Sequence, residues 1–135
     1  MTRTRRVRFF KAQVENKPGA LLAITRRLQE KHIGLVGLWA YSLDRSTGEL
    51  YVVPARPEKL RRLWRSDGIL QEEGVGFWLS GGNRTGALNK TLDALANAGV
   101  NIDCIDAIAH GKEHGSFIWV DPANLDKAVQ ALKAR

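Results

Sequence analysis

The chain has 135 residues, 44% hydrophobic and 26% charged, the balance of a soluble folded protein rather than a disordered one. No apolar run approaches the ~20 residues of a membrane span, and residues 7–14 are too short and too charged for a signal-peptide core. The net charge of +7 is uneven: 15 Lys/Arg stand against 6 Asp/Glu in 1–67 (net +9), and 6 against 8 in 68–135 (net −2). A basic half either offers a face to an anionic partner or is solvated surface with a disordered basic tail at Met1 to Arg6. The single cysteine, Cys104, excludes an internal disulfide and points to a reducing, cytoplasmic setting.

In chain order, Val7 to Glu15 is rich in β-branched and aromatic residues and reads as a strand. An Asn16-Lys17-Pro18-Gly19 turn follows, then Leu21, Ile24 and Leu28 at helical spacing. Leu35 to Leu43 turns through residues 44–48 into Glu49 to Val53, a hairpin. Pro57 opens a second helix with the stripe Leu60, Leu63 and Trp64, and Asp67-Gly68 stops it. Gly68 to Gly74 then serves as a linker, or as a linker plus one brief strand.

The same order begins again. Val75 to Ser80 reads as a strand, Asn83-Arg84-Thr85-Gly86 as a turn, and Leu88, Leu92 and Leu95 as a helix ended by Gly99. Ile102 to Ala109 turns through residues 110–115 into Ser116 to Val120. Asp121-Pro122 caps a last helix with the stripe Leu125, Ala128, Val129 and Leu132. Sliding the sequence by 67 residues superposes the two runs without a gap. Asn16-Lys17-Pro18-Gly19-Ala20-Leu21 lies over Asn83-Arg84-Thr85-Gly86-Ala87-Leu88, Leu28 over Leu95, Ile33 over Val100, Ala40 over Ala107, Gly48 over Gly115 and Val53 over Val120.

The expected fold is therefore α+β: tandem β-α-β-β-α repeats, 1–67 and 68–135, with antiparallel sheets covered by helices on one face. A unit of about 65 residues is marginal alone, so the copies should pack into one pseudo-symmetric body that also forms a homodimer.

The repeated strand, Asn-x-x-Gly-Ala-Leu turn and helix, followed by a strand opening such as Gly99-Val100-Asn101-Ile102, resembles the ACT domain. That resemblance implies ferredoxin-like β-α-β-β-α(-β) repeats, from which the chain departs by ending at Arg135 with no room for a final strand. Either that strand is absent in both copies or another segment supplies it, the N-terminal arm being one candidate. The resemblance also implies a non-catalytic regulatory module that binds an amino acid or similar metabolite and controls an enzyme on a separate polypeptide. It implies ligand contacts at the turns: Asn83, Arg84, Thr85, Gly86, Ala87, Leu88 and Asn101 in the second copy, Asn16, Gly19, Ala20 and Leu21 in the first. The second copy keeps both asparagines of the family pattern, whereas Gly34 replaces the second one in the first copy, so the second is expected to bind better. The physical grounds are general. A glycine at a helix start lets amides approach an anion, and the helix's positive end favours a carboxylate. The same Asn and Gly residues are also ordinary turn formers.

No other constellation carries chemistry. His110 and His114 fall in a hairpin turn and are expected to be exposed, and no Cys/His/Asp spacing supports a metal. Asp103 and Asp106 face opposite sides of a strand, and Cys104, lacking a basic neighbour, reads as a small core residue. The expectation is no catalytic residue, no cofactor and no metal. Trp39, Trp64, Trp78 and Trp119 are expected in core or dimer packing. The alternative function is a nucleic-acid or protein-interaction module, with Arg56, Lys59, Arg61, Arg62 and Arg65 of one helix tracking phosphates.

Overall fold

A computed structural model describes residues 2–134. Six strands and four helices follow one another: β1 (Arg3–Glu15), α1 (Ala20–Glu30), β2 (Leu35–Ser42), β3 (Thr47–Pro54), α2 (Pro57–Asp67), β4 (Leu70–Gly82), α3 (Asn89–Asn97), β5 (Cys104–His110), β6 (Glu113–Trp119) and α4 (Leu125–Leu132), with a 3-10 turn before α4. The order β-α-β-β-α therefore occurs twice. The chain divides into two compact units, residues 8–74 and, among those described, residues 2–7 with 75–134.

In the unit 8–74 the strand order is β2-β3-β1-β4. β3 pairs antiparallel with β1 and β2, setting Phe10 opposite Val52 and Leu38 opposite Val52 on the other side. Residues directly opposite share a face. Phe10, Ala12, Leu50 and Val52 thus form one face, and they pack with Leu28 of α1 and Leu60 and Trp64 of α2. The other face carries Phe9, Trp39 and Tyr51, with the Trp39 and Tyr51 rings stacked at 5.6 Å. Beside β1, the first five residues of β4 supply a fourth strand, tied to it by Gln71 Nε2 donating to Gln13 Oε1 at 2.9 Å and by Arg8 donating to Glu73 at 2.9 Å.

The second unit has the order β5-β6-β4-β1. Phe77 lies opposite Ile118 and Leu79 opposite Ser116. Phe77, Leu79, Ile118 and Val120 pack with Leu95 of α3 and Ala128 of α4. Residues 3–7 of β1 take the place of the fourth strand. Each unit thus completes its sheet with part of a long strand whose remainder belongs to the other unit. Of the two alternatives left by the sequence, another segment supplies the last strand. Of the two readings of 68–74, the one with a strand is nearer the structure, although residues 70–74 begin a 13-residue strand rather than forming a brief one; Arg3 to Arg6 are strand rather than a disordered tail.

The helix ends repeat closely. Ile33 N donates to Leu28 O and Val100 N to Leu95 O, each at 2.9 Å, closing α1 and α3 through a left-handed residue. That residue is Gly99 in one case and His32 in the other, with φ of 71° and 56°. Glycine adopts this backbone freely, and His32 does so at a cost.

The hairpins do not repeat as the gapless offset expects. Gly48 lies opposite Val14, whereas Gly81, 67 residues beyond Val14, lies opposite His114. Tyr41 pairs with Glu49, and Ile108 with Gly115, so the second hairpin is one residue shorter. A one-residue slip moves every side chain to the other face. Gly48 therefore corresponds to His114 rather than Gly115, and Val53 does not correspond to Val120. Val120 faces the helices and belongs to the core there, while Val53 is buried outside the equivalent cluster.

Candidate functional site

At the end of β4 the chain must pass from sheet to helix while keeping its polar backbone bonded. Asn83 N donates to Lys112 O at 2.7 Å, and Asn83 Nδ2 donates to Gly111 O at 3.4 Å. These bonds hold the turn against the β5–β6 hairpin. Gly86 then takes φ 73°, a left-handed backbone that a side chain disfavours, and α3 begins at Asn89, one residue past Leu88, the first of the expected helical stripe.

Between this turn, α3 and the β5–β6 hairpin lies an open hollow of about 450 Å³. Its polar lining is Asn83, Arg84, Asn89 and His114; its apolar lining is Ala87, Leu88, Leu92, Ala107, Ile108 and Ala109, with Gly86 at the rim. No acidic side chain lines it, and the first turn of α3 has none. Arg84 and the positive end of α3 make this a place for an anionic group, next to an apolar wall. Of the residues expected from sequence, the structure gathers Asn83, Arg84, Gly86, Ala87 and Leu88 here. Thr85 is exposed in the same turn but is not part of the lining. Asn101 stands apart, its Nδ2 donating to Asp103 Oδ1 at 3.4 Å.

The residue that sequence reasoning missed is His114. It is 8% exposed, against the expectation of an exposed turn residue. Its Nδ1 lies 3.0 Å from Gly82 O, and its Nε2 is buried without a hydrogen-bond partner. His110, by contrast, is exposed as expected. The signal available in sequence was the alternation His114, Ser116, Ile118 and Val120, which places His114 on the core-facing side of β6.

The first-half turn uses the same device. Asn16 N donates to Ser46 O at 3.0 Å and Asn16 Nδ2 to Asp44 O at 2.8 Å, while Gly19 takes φ 87° at the start of α1. Asp44 in turn accepts from the backbone amides of Ser46 and Thr47, both at 2.8 Å, which holds its carboxyl low, at about 2. The hollow here is only about 190 Å³ and is lined by Asn16, Lys17, Leu21, Tyr41 and Gly48 among others; Gly19 and Ala20 do not line it. Glu15 also lines it, 2.7 Å from Lys17, and this ion pair lowers the Glu15 carboxyl below its usual range.

Part of the basic half's charge is paired within its own unit. Arg61 donates to Glu58 and Glu73, Arg8 to the same two carboxylates, and Arg27 donates twice to Asp67 at 3.1 Å. The Arg61 contact holds the Glu73 carboxyl below its usual range. A third hollow, of about 780 Å³, is lined by Thr2, Arg3, Thr4, Arg5, Trp78, Ser80 and Lys133, three cations and no carboxylate. Cys104 is half-buried, and burial followed by the nearby Asp106 carboxylate pushes its thiol up to about 11, away from nucleophilic use. Trp64 lies in the core, while Trp39, Trp78 and Trp119 are half-buried. Among the described residues no group of His, Cys, Asp and Glu could hold a metal ion, and no helix is long and apolar enough to cross a membrane.

No family model and no curated protein matches this sequence. Solved structures do match. Protein BT0572 from Bacteroides thetaiotaomicron is 25% identical with a TM-score of 0.82, covering 96% of this chain and 88% of that one. The regulatory subunit of aspartate kinase from Thermus thermophilus is 16% identical with a TM-score of 0.63, covering 98% and 94%. A structure of aspartokinase alpha and beta subunits is 18% identical with a TM-score of 0.59, covering 97% and 93%. The chain has an ACT-like α+β fold, and it shares that fold with regulatory subunits of aspartate kinase.

Proposed function

We propose that this chain is a non-catalytic regulatory module of two ACT-like repeats, 1–67 and 68–135, that binds an amino acid at its second strand–helix turn. The observation that carries the reading is the hollow at that turn. It brings Arg84, Asn83 and the start of α3 together with an apolar wall formed by Leu88, Leu92, Ala107 and Ala109. A carboxylate suits Arg84 and the helix start, and an apolar side chain suits the wall. The smaller hollow, lined by Asn16 and Leu21, is a second, weaker site; Thr85, Asn101, Gly19 and Ala20 line neither hollow and lie outside the proposed contacts. The fold shared with aspartate kinase regulatory subunits supports a regulatory role, with the controlled enzyme on a separate polypeptide.

A homodimer belongs to the same proposal. β5 ends the strand order of its unit and presents Ile105 and Ile108, 41% and 77% exposed, at an edge that natural sheets usually protect with charge. Because Ala107, Ile108 and Ala109 also line the hollow, a second copy seated on β5 would cover the ligand. The protein acts in the cytoplasm in this reading.

A thermal-shift screen of the twenty amino acids tests it. A ligand at ~100 times its dissociation constant adds ~2.7 kcal/mol, a shift of roughly 5–10 °C in a domain this size. No shift with any of the twenty would sink the proposal. One observation favours a second reading, an anionic partner: the hollow lined by Arg3, Arg5 and Lys133. Salt-sensitive binding to RNA without any amino-acid shift would select that reading instead.

A further inference from the structure

His114 sits in β6 opposite Gly81 on one side and Ala109 on the other. Leu79 and Ser116 form the next pair on the same face, so the imidazole lies on the helix side of the sheet, where it lines the second-half hollow. Its Nδ1 is 3.0 Å from the Gly82 carbonyl. A carbonyl only accepts, so Nδ1 carries the hydrogen, and in the neutral ring Nε2 is left as an acceptor. That acceptor is buried and unpartnered.

Proteins seldom leave a buried acceptor unpaired, because desolvating it costs stability. The fold does not require it either, since the corresponding position in the first half is Gly48, opposite Val14. Asn83 adds a second acceptor, for its Nδ2 is committed to Gly111 O and its Oδ1 remains. The hollow thus offers two acceptors, one guanidinium and a helix start.

We infer that His114 Nε2 accepts a hydrogen bond from the ligand's amino group and is the residue that selects an amino acid over its deaminated counterpart. This rests on reading the hollow as an amino-acid site. It also fixes the ligand's orientation: amino group toward β6, carboxylate toward Arg84, side chain along Leu88 and Leu92.

Isothermal titration of the full chain tests it, with the twenty amino acids and, for each that binds, the same acid without its amino group (4-methylpentanoate for leucine). The wild type should prefer the amino acid by ~10-fold or more, and His114→Leu should lose roughly that factor, as expected for a hydrogen bond to a charged group. His114→Gln, which restores an acceptor, should recover part of it. Should His114→Leu not fold, the labelled wild type gives the answer: the His114 Nε2 nitrogen resonance moves upfield when ligand saturates the chain. An unmoved resonance, or a His114→Leu variant that weakens both acids equally, overturns the inference and leaves the amino-acid reading standing. Failure of every amino acid to bind the wild type overturns both.

Discussion

At residues 16–21 and again at 83–88, an asparagine ends a strand, donates its side-chain amide to a carbonyl of the neighbouring hairpin, and is followed three residues later by a left-handed glycine. The space beside the two turns is nevertheless about 190 Å³ in one and 450 Å³ in the other. Glu15 and Tyr41 are among the residues lining the first; the second has Arg84, no acid, and His114 where the first has Gly48. One backbone device therefore serves two ends. The asparagines and glycines build the turn in both halves, and whether a ligand fits is decided by the residues around it.

Three substitution pairs or single changes sharpen that contrast. The largest effect belongs to the cores, where Leu28 and Leu95 hold equivalent places in the two clusters. Leu28 and Leu95 are 2% and 0% exposed, so Leu28→Ala and Leu95→Ala should each cost ~2–5 kcal/mol in urea unfolding. A cost below ~1 kcal/mol at either would show the halves to be unequally packed. The turn asparagines come next. Asn16→Ala loses a 2.8 Å bond and should cost ~0.5–1.5 kcal/mol, whereas Asn83→Ala loses one of 3.4 Å and should cost less, by thermal unfolding without ligand. Equal losses would contradict the claim that Asn16 is the more structural of the two.

The smallest effect is a pH dependence confined to the first turn. The folded Asp44 carboxyl is depressed to about 2, below its unfolded value, so its contribution is present above about pH 4. It is lost as pH falls from there toward about 2. The stability difference between wild type and Asp44→Ala should shrink over that window, and a difference that stays constant from pH 5 to 2 would refute it.

The helices, both hairpins and the two turns were legible because they are local. Apolar spacing marks Leu21, Ile24 and Leu28, proline starts α2 at Pro57, and Asn and Gly mark the turns. The completing strands were legible only as alternatives, a brief strand within 68–74 and the N-terminal arm, since each is the far part of a strand whose near part already had a role, and strand length carries no sign of which unit a residue joins. The helix-side hairpin register was hidden by coincidence. Gly48 and Gly115 match at the gapless offset, yet a loop one residue shorter pairs Gly48's position with His114. That slip is also why His114 read as an exposed turn residue. Asn101 entered through family resemblance alone, and the structure leaves it beside Asp103.

The contrast between the two turns comes down to where an amino acid lands on the chain. Amide resonances of the labelled protein, followed while the amino acid with the largest thermal shift is titrated in, answer this residue by residue. Changes should be concentrated at 83–92 and 107–114, with those at 14–21 and 40–48 unmoved at the same concentration. Changes centred on the first-half turn, with 83–92 silent, would contradict it.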